Sequence, residues 1–291
     1  MKDGVRDFWN QTLSELAEVP MDVRSEPAPE HNGREYTTSQ VALTSWGGVR
    51  IRAWYSVPLD APRKRFGAIM SVPGYGGIKP IPTQLVQHGY AVLTLHPRAQ
   101  GISRAEWDLE TGTKLTYRVT DKDRYYYRGA YADCVRGIDF LLSREEIDPE
   151  RIGMWGRSQG GGLTLAASSL DGRLKAAVAE QPFLCNYPLA VEIRTDPYIE
   201  LNEYLRAHPS ERAAVMATLA YFDPLSLAEQ ITCPILVNIG MKDDICPFQT
   251  IMPVFEKIRS QKALMIFPDL EHTPCTDFNN HAKNWLDRYL G

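Results

Sequence analysis

Gly156-Arg157-Ser158-Gln159-Gly160 stands where one hydrophobic pattern gives way to another. Before it, Arg151-Ile152-Gly153-Met154-Trp155 reads as a short buried strand, and residues 161–170 after it read as a helix of small side chains. A chain that passes from strand to helix in so few residues turns sharply. Side chains two positions either side of the central residue would then collide. Glycine at 156 and 160 relieves that collision and leaves Ser158 at the tip of the turn, near the positive end of the helix behind it. This is the arrangement of a nucleophile elbow, in which a serine is presented for attack on a carbonyl. Glycine and serine also punctuate ordinary turns, so the pentapeptide gains weight only from the rest of the chain.

Outward from the elbow, short continuous apolar runs recur: residues 68–72, 90–95, 152–155, 176–179, 235–239 and 263–267. Strands buried on both faces read this way, and helical segments between them imply parallel neighbours. Residues 126–143 make the clearest crossover helix, with Tyr131, Cys134, Val135, Ile138, Leu141 and Leu142 on one face. Residues 7–19 carry Phe8, Leu13, Leu16 and Ala17 at helical spacing. Val41, Leu43, Val49, Ile51, Ala53, Tyr55 and Val57 alternate across Trp46-Gly47-Gly48, as in an antiparallel hairpin. Residues 186–229 read as helical and interrupt the strand alternation, either as an insertion at the rim of a site or as a long crossover. The fold class is therefore α/β: a mostly parallel central sheet with helices on both faces and an N-terminal antiparallel hairpin. No linker is long or polar enough to divide the chain, so residues 1–291 are expected to form a single α/β-hydrolase domain.

A serine hydroxyl is a poor nucleophile until a general base takes its proton and a carboxylate orients that base. In the α/β-hydrolase plan these partners follow the serine in the order acid, then histidine, each on a loop after a strand. The run ending at Ile239 is followed by Gly240-Met241-Lys242-Asp243-Asp244, and the run ending at Phe267 by Pro268-Asp269-Leu270-Glu271-His272. Of the six histidines only His272 and His281 follow the candidate acids. His281 falls in a helix with Ala282, Trp285, Leu286 and Tyr289, so His272 is the expected base. Asp243 is favoured as the acid over its neighbour Asp244, read as a loop-surface charge; Asp269 and Glu271 flank the histidine. Histidines 31, 88, 96 and 208 are read as structural. The oxyanion formed on attack needs N–H donors. Gln159, after the serine, supplies one, and the loop Pro73-Gly74-Tyr75-Gly76-Gly77 after the run 68–72 offers another. Tyr75, with Pro182 and Phe183 just after the run 176–179, could close an acyl pocket around a small group.

Composition excludes several function classes. With 32 Lys and Arg against 36 Asp and Glu the formal charge is −4, and phosphate binding needs a basic face. Arg63-Lys64-Arg65 is read as a solvated loop. No apolar run approaches the roughly 18 residues that would span a membrane, and residues 1–7 lack the apolar core of a signal peptide. Five cysteines at scattered spacings, with no C-x-x-C pair, suit a reducing compartment and form no metal motif. A cytoplasmic protein with no metal or organic cofactor is expected.

Taken together, these segments resemble the acetyl xylan esterase / cephalosporin C deacetylase family of carbohydrate esterases over nearly the whole chain. The likeness rests on Gly74-Tyr75-Gly76-Gly77, Arg98-Ala99-Gln100-Gly101, Tyr125-Tyr126-Tyr127-Arg128-Gly129, Gly156 to Gly162, Tyr221-Phe222-Asp223 and Gly240 to Pro247. It implies a Ser158–His272–Asp243 triad, with the N–H groups of Tyr75 and Gln159 as oxyanion hole. It also implies removal of small acyl groups, chiefly acetyl, from sugar or antibiotic alcohols. The family's Arg-Gly-Gln-Gly reads Arg98-Ala99-Gln100-Gly101 here, which strains the backbone only if position 99 needs a positive φ. Its His-Glu pair reads His272-Thr273. Residues 102–124, a region family members use in oligomer contacts, are fewer than usual, so a homo-oligomer is compatible with the resemblance without the family's hexameric ring being fixed. Two other readings compete: a carboxylesterase of broader acyl range, and a non-catalytic hydrolase-fold binding protein, which typically lacks a triad member. Peptidases sharing the elbow usually carry a large extra domain, for which this chain has no room.

Overall fold

The computed structural model describes residues 3–60 and 65–291. Arg63 and Lys64 of the basic run lie outside the described residues, and Arg65 is exposed. Nine strands among the described residues form one sheet in the order β1-β2-β3-β5-β4-β6-β7-β8-β9. Strands β2 (Tyr36–Thr44) and β3 (Arg50–Pro58) make the hairpin expected across Trp46–Gly48, where Gly47 and Gly48 adopt positive φ. Val41 lies opposite Ala53 and Leu43 opposite Ile51, all four fully buried, so the alternation in sequence is the alternation of faces. Strand β1 (Arg24–Pro27) adds to this ribbon at the edge. Its residues are all exposed, and Arg-Ser-Glu-Pro carries no hydrophobic signal by which it could be read.

From β3 the sheet passes antiparallel to β5 (Ala91–His96) and is then parallel throughout. It runs through β4 (Phe66–Val72), β6 (Ile147–Arg157), β7 (Ala176–Glu180), β8 (Ile235–Gly240) and β9 (Lys262–Phe267). Every residue of β4, β5, β7 and β8 is buried, which is why these strands read as unbroken apolar runs. The two sheet faces serve two hydrophobic clusters. Met70 and Val72 point to one, with α1 (Asp3–Glu18), α3 (Tyr126–Leu142), α4 (Gln159–Leu170) and α9 (Phe248–Lys257). Ile69 points to the other, with α2 (Thr83–Gln87) and α10 (Thr276–Leu290), whose Phe278, Ala282, Leu286 and Leu290 are fully buried. His281 is exposed on α10, as its place in the helix pattern implied.

Residues 186–229 form α5 (Tyr187–Ile193), α6 (Ile199–Ala207), α7 (Arg212–Leu219) and α8 (Pro224–Leu227). Asp223 joins the two ends of this excursion. Its Oδ1 accepts from the N–H of Asn186 and Leu225, and its Oδ2 from that of Tyr187, each at 2.8 Å. Burial pushes its carboxyl up to about 6 against those hydrogen bonds. Arg98 plays a similar part against the middle of α3: Nε and Nη2 grip both oxygens of fully buried Asp133, and Nη2 also donates to the Trp46 carbonyl. Both residues belong to segments on which the family resemblance rests, and both join parts of the chain far apart in sequence. Among the described residues no helix is long and apolar enough to cross a membrane.

Candidate active site

In a parallel sheet the loops leaving the carboxyl ends of the strands gather along one edge. Those after β4, β6, β7, β8 and β9 carry Tyr75, Ser158, Gln181, Asp243 and His272 respectively. Ser158 has φ 58° and ψ −124°, a backbone conformation that a non-glycine residue adopts only under constraint. Packing supplies it. A Cβ on Gly156 would be driven into the Gly160 carbonyl, and one on Gly160 would lie 2.8 Å from the Val72 oxygen. The Ser158 N–H donates to the Glu180 carbonyl at 2.9 Å, and the Ser158 carbonyl accepts from Gly162 and Phe183. Helix α4 therefore begins at Gln159, two residues earlier than its apolar pattern suggests.

Gln159 is fully buried, and its side chain ties the elbow to its surroundings. Its Oε1 accepts from the Tyr127 hydroxyl at 2.9 Å, while Nε2 reaches the carbonyls of Pro73 and Gly74 at 3.4 and 3.3 Å. The loop after β4 is thus held against the residue that follows the serine. Tyr75 in that loop donates its hydroxyl to Glu200 Oε2 of α6 at 2.5 Å, and Lys114 Nζ lies 4.3 Å over its ring. Burial, followed by the Glu200 carboxylate, pushes the Tyr75 phenol far above its ordinary range, so it stays a donor. Phe183 packs edge-on to Tyr75 at 5.7 Å and against Tyr198 at 4.2 Å. Pro182 and Phe183 are both buried.

Asp243 and His272 meet. His272 Nδ1 lies 2.9 Å from Asp243 Oδ2, with the aspartate side chain fully buried and the histidine side chain 16% exposed. Asp243 Oδ1 accepts from the N–H groups of Ile245 and Cys246 at 3.0 and 2.7 Å, so each oxygen has a fixed task. Asp244 is exposed, and Asp269, also exposed, pairs with Lys242. Ser158 Oγ and His272 share no hydrogen bond in this structure. In substrate-free sites such contacts are often long and close only with substrate. Burial raises the Cys246 thiol well above its ordinary range. Asp243, Cys246 and His272 offer ligand atoms within 4.8 Å of one another. A soft divalent ion could use them, but the hydrogen bonds above already account for the aspartate and the histidine.

Gln181 was not legible in the sequence. Its Nε2 donates at 2.7 Å both to Asp243 Oδ2 and to the Glu271 carbonyl beside His272, bridging the Asp243 loop to the His272 loop. Its own N–H is held by Asn238 Oδ1 at 2.8 Å. Nothing in residues 180–183 advertises this role, because the bridge spans 62 and 90 residues of chain. A cavity of about 370 Å³ opens on Ser158 and is lined by Gly74, Lys79, Trp155, Arg157 and Glu180 among others. Pro182 and Phe183 do not line it, and Phe183 packs instead against Tyr75.

The sequence pattern described as acetyl xylan esterase (AXE1) matches residues 1–289. An acetyl esterase of Xylanibacter ruminicola is 27% identical over 97% of this chain, which spans 66% of that relative's length. The structure of an acetyl xylan esterase from Paenibacillus sp. R4 superposes with a TM-score of 0.92 at 29% identity, covering 99% of this chain and 95% of that one. Acetyl xylan esterase 1 from Thermoanaerobacterium sp. JW/SL YS485 shares the fold with a TM-score of 0.89 at 24% identity, covering 99% and 94% of the two chains. The expected mostly parallel sheet, its N-terminal antiparallel strands and the matched span all agree, and the chain belongs to the acetyl xylan esterase (AXE1) family of α/β hydrolases.

Proposed function

We propose that this chain acts as one α/β-hydrolase domain and is a serine esterase that removes acetyl groups through an acyl-enzyme intermediate. Its substrates on this reading are acetylated sugars such as xylo-oligosaccharides, or cephalosporin C-like alcohols. The observation that carries the reading is the His272–Asp243 pair, poised on the same sheet edge as a serine held in an elbow. Ser158 Oγ attacks the acetyl carbonyl as His272 Nε2 takes its proton. Asp243 Oδ2, bonded to Nδ1, holds the ring and stabilises the imidazolium. The N–H groups of Gln159 and Tyr75 receive the negative charge on the carbonyl oxygen. Collapse expels the alcohol, which leaves with the proton from His272. Water then repeats the sequence on the acetyl-serine and releases acetate. Tyr75, Phe183 and Pro182 supply the bulk that limits the acyl group, and each methylene beyond acetyl is disfavoured by about 1–3 kcal/mol.

The test is twofold. A serine-directed phosphonate should leave one adduct, on Ser158, and Ser158→Ala should lower kcat by about 10⁶. Turnover near the wild-type rate in that variant would end the proposal. On p-nitrophenyl esters kcat/KM should fall from acetate to butyrate and nearly vanish at octanoate. A preference for butyrate or longer chains would point instead to a broader carboxylesterase.

A further inference from the structure

The cavity beside Ser158 contains more charge than the acyl chemistry uses. Arg157 stands at the end of β6 next to the serine, Glu180 at the end of β7, and Lys79 in the segment after β4; all three side chains line the wall. Glu180 is 4% exposed, and its Oε1 has no hydrogen-bond partner. Arg157 Nη1 is likewise buried and unpartnered. Burial drives the Glu180 carboxyl upward, with Arg157, the Trp155 side chain, Lys79 and the Cys275 backbone pulling it back, and burial pulls the Lys79 ammonium down. The three groups therefore feel one another across a small volume. A donor and an acceptor left unpaired in a protein interior are costly, and a site serving only the fold would pair or replace them.

We propose that Arg157 and Glu180, assisted by Lys79, bind free hydroxyl groups on the departing alcohol, so that the protein selects acetyl esters of polyols. This rests on the esterase reading above and extends it to the alcohol portion. A hydroxyl accepts from a guanidinium and donates to a carboxylate, and so suits both side chains. A carboxylate on the alcohol portion would suit Arg157 and Lys79 but meet Glu180 with like charge. An aryl or alkyl alcohol would serve none of the three. The cavity volume falls in the range of small-ligand sites, and Trp155, Pro80 and Pro274 provide apolar walls for a ring. Because Phe183 and Pro182 lie outside this lining, acyl group and alcohol are assigned to different sides of Ser158.

The experiment compares kcat/KM for a monoacetylated methyl β-xylopyranoside, with free hydroxyls, against p-nitrophenyl acetate, with none. In Glu180→Gln and in Arg157→Gln the ratio of the first to the second should fall about 10- to 100-fold, the range expected for hydrogen bonds to charged groups. An unchanged ratio in both variants overturns the proposal, as does a wild-type preference for O-acetylglycolate over the xyloside. A second measurement needs neither turnover nor a variant. Saturation-transfer NMR on the wild-type protein should show methyl β-xylopyranoside binding at least 10-fold tighter than tetrahydropyran, the ring without hydroxyls. Equal binding overturns the subsite. Absence of hydrolysis of either ester, with the xyloside still preferred, would count against the esterase reading and leave the subsite standing.

Discussion

The loop after β6 and the loop after β9 each bring one side chain of the proposed triad to the same edge of the sheet, and they are held in opposite ways. The elbow around Ser158 is fixed by crowding: Gly156 lies against the Gly160 carbonyl, Gly160 against Val72, and the backbone sits in a conformation that only this packing maintains. The loop around His272 is open. Glu271, Thr273 and Pro274 are exposed, and the segment is held by directed hydrogen bonds, chiefly from Gln181 and to Asp243. Crowding leaves its mark in composition, because only glycine fits. A hydrogen bond to a backbone carbonyl leaves none, because any residue at 271 presents the same acceptor.

The sharpest way to break this contrast is at the acid. Asp243→Asn keeps the shape of the side chain but upsets the tautomer of His272 and should lower kcat by about 10⁴. Asp244→Asn, on the exposed neighbour, should leave kcat nearly unchanged. Steady-state kinetics on p-nitrophenyl acetate reads both, and a reversal would mean that the loop register carries a different pair.

Next in size is the elbow itself. Gly156→Ala forces the turn open against Gly160 and should cost about 3 kcal/mol of stability in urea unfolding, at the upper end of ordinary overpacking. A variant as stable as wild type would show that the turn is held by something other than crowding.

Smaller still is the bridge. Gln181→Met fills the same space without the donors and should lower kcat about 10- to 100-fold with KM little changed, since the base loop loses its anchor while the cavity stays intact. A loss confined to KM would place Gln181 with the substrate rather than with the loop.

The smallest effect is expected at Ala99, whose φ of 57° is a left-handed position held by a residue with a Cβ. Ala99→Gly should relieve about 1–2 kcal/mol of local strain while loosening the unfolded chain by somewhat less, for a net gain under about 1 kcal/mol. A destabilised variant would mean that the Ala99 methyl earns its place in packing.

These differences explain what was legible beforehand. The strands from β4 to β8 and the β2–β3 hairpin could be read because burial on one or two faces imposes a pattern on the chain, whereas β9, only half-buried with Ile266 exposed, shows itself by its apolar run alone. Strand β1 could not be read, being exposed throughout and without an apolar run, and α2 is too short to show a period. Residue type and order point to Ser158, Asp243 and His272 in the sequence. The structure brings Asp243 and His272 into contact and leaves Ser158 without a hydrogen bond to either. Gln181, Tyr127 and Glu200 were not found, since each acts through a partner at least 32 residues away. The condition attached to Ala99 is met: the backbone there does need a positive φ. Thr273 is exposed beside the base, and its N–H donates to the Glu271 carbonyl, a contact independent of its side chain.

The grip on Tyr75 has a consequence for anyone who would rebuild this protein. Glu200 belongs to the helical excursion between β7 and β8, and Lys114 to the irregular segment before α3, yet both close on a single ring in the loop after β4. Neither surface segment is an exchangeable ornament. A chimera that imports another protein's helices at 186–229 removes the Tyr75 tether along with the old rim. Turnover and acyl preference would then shift together, unless the imported helices place a carboxylate where Glu200 stands, beside the Lys114 that the host retains.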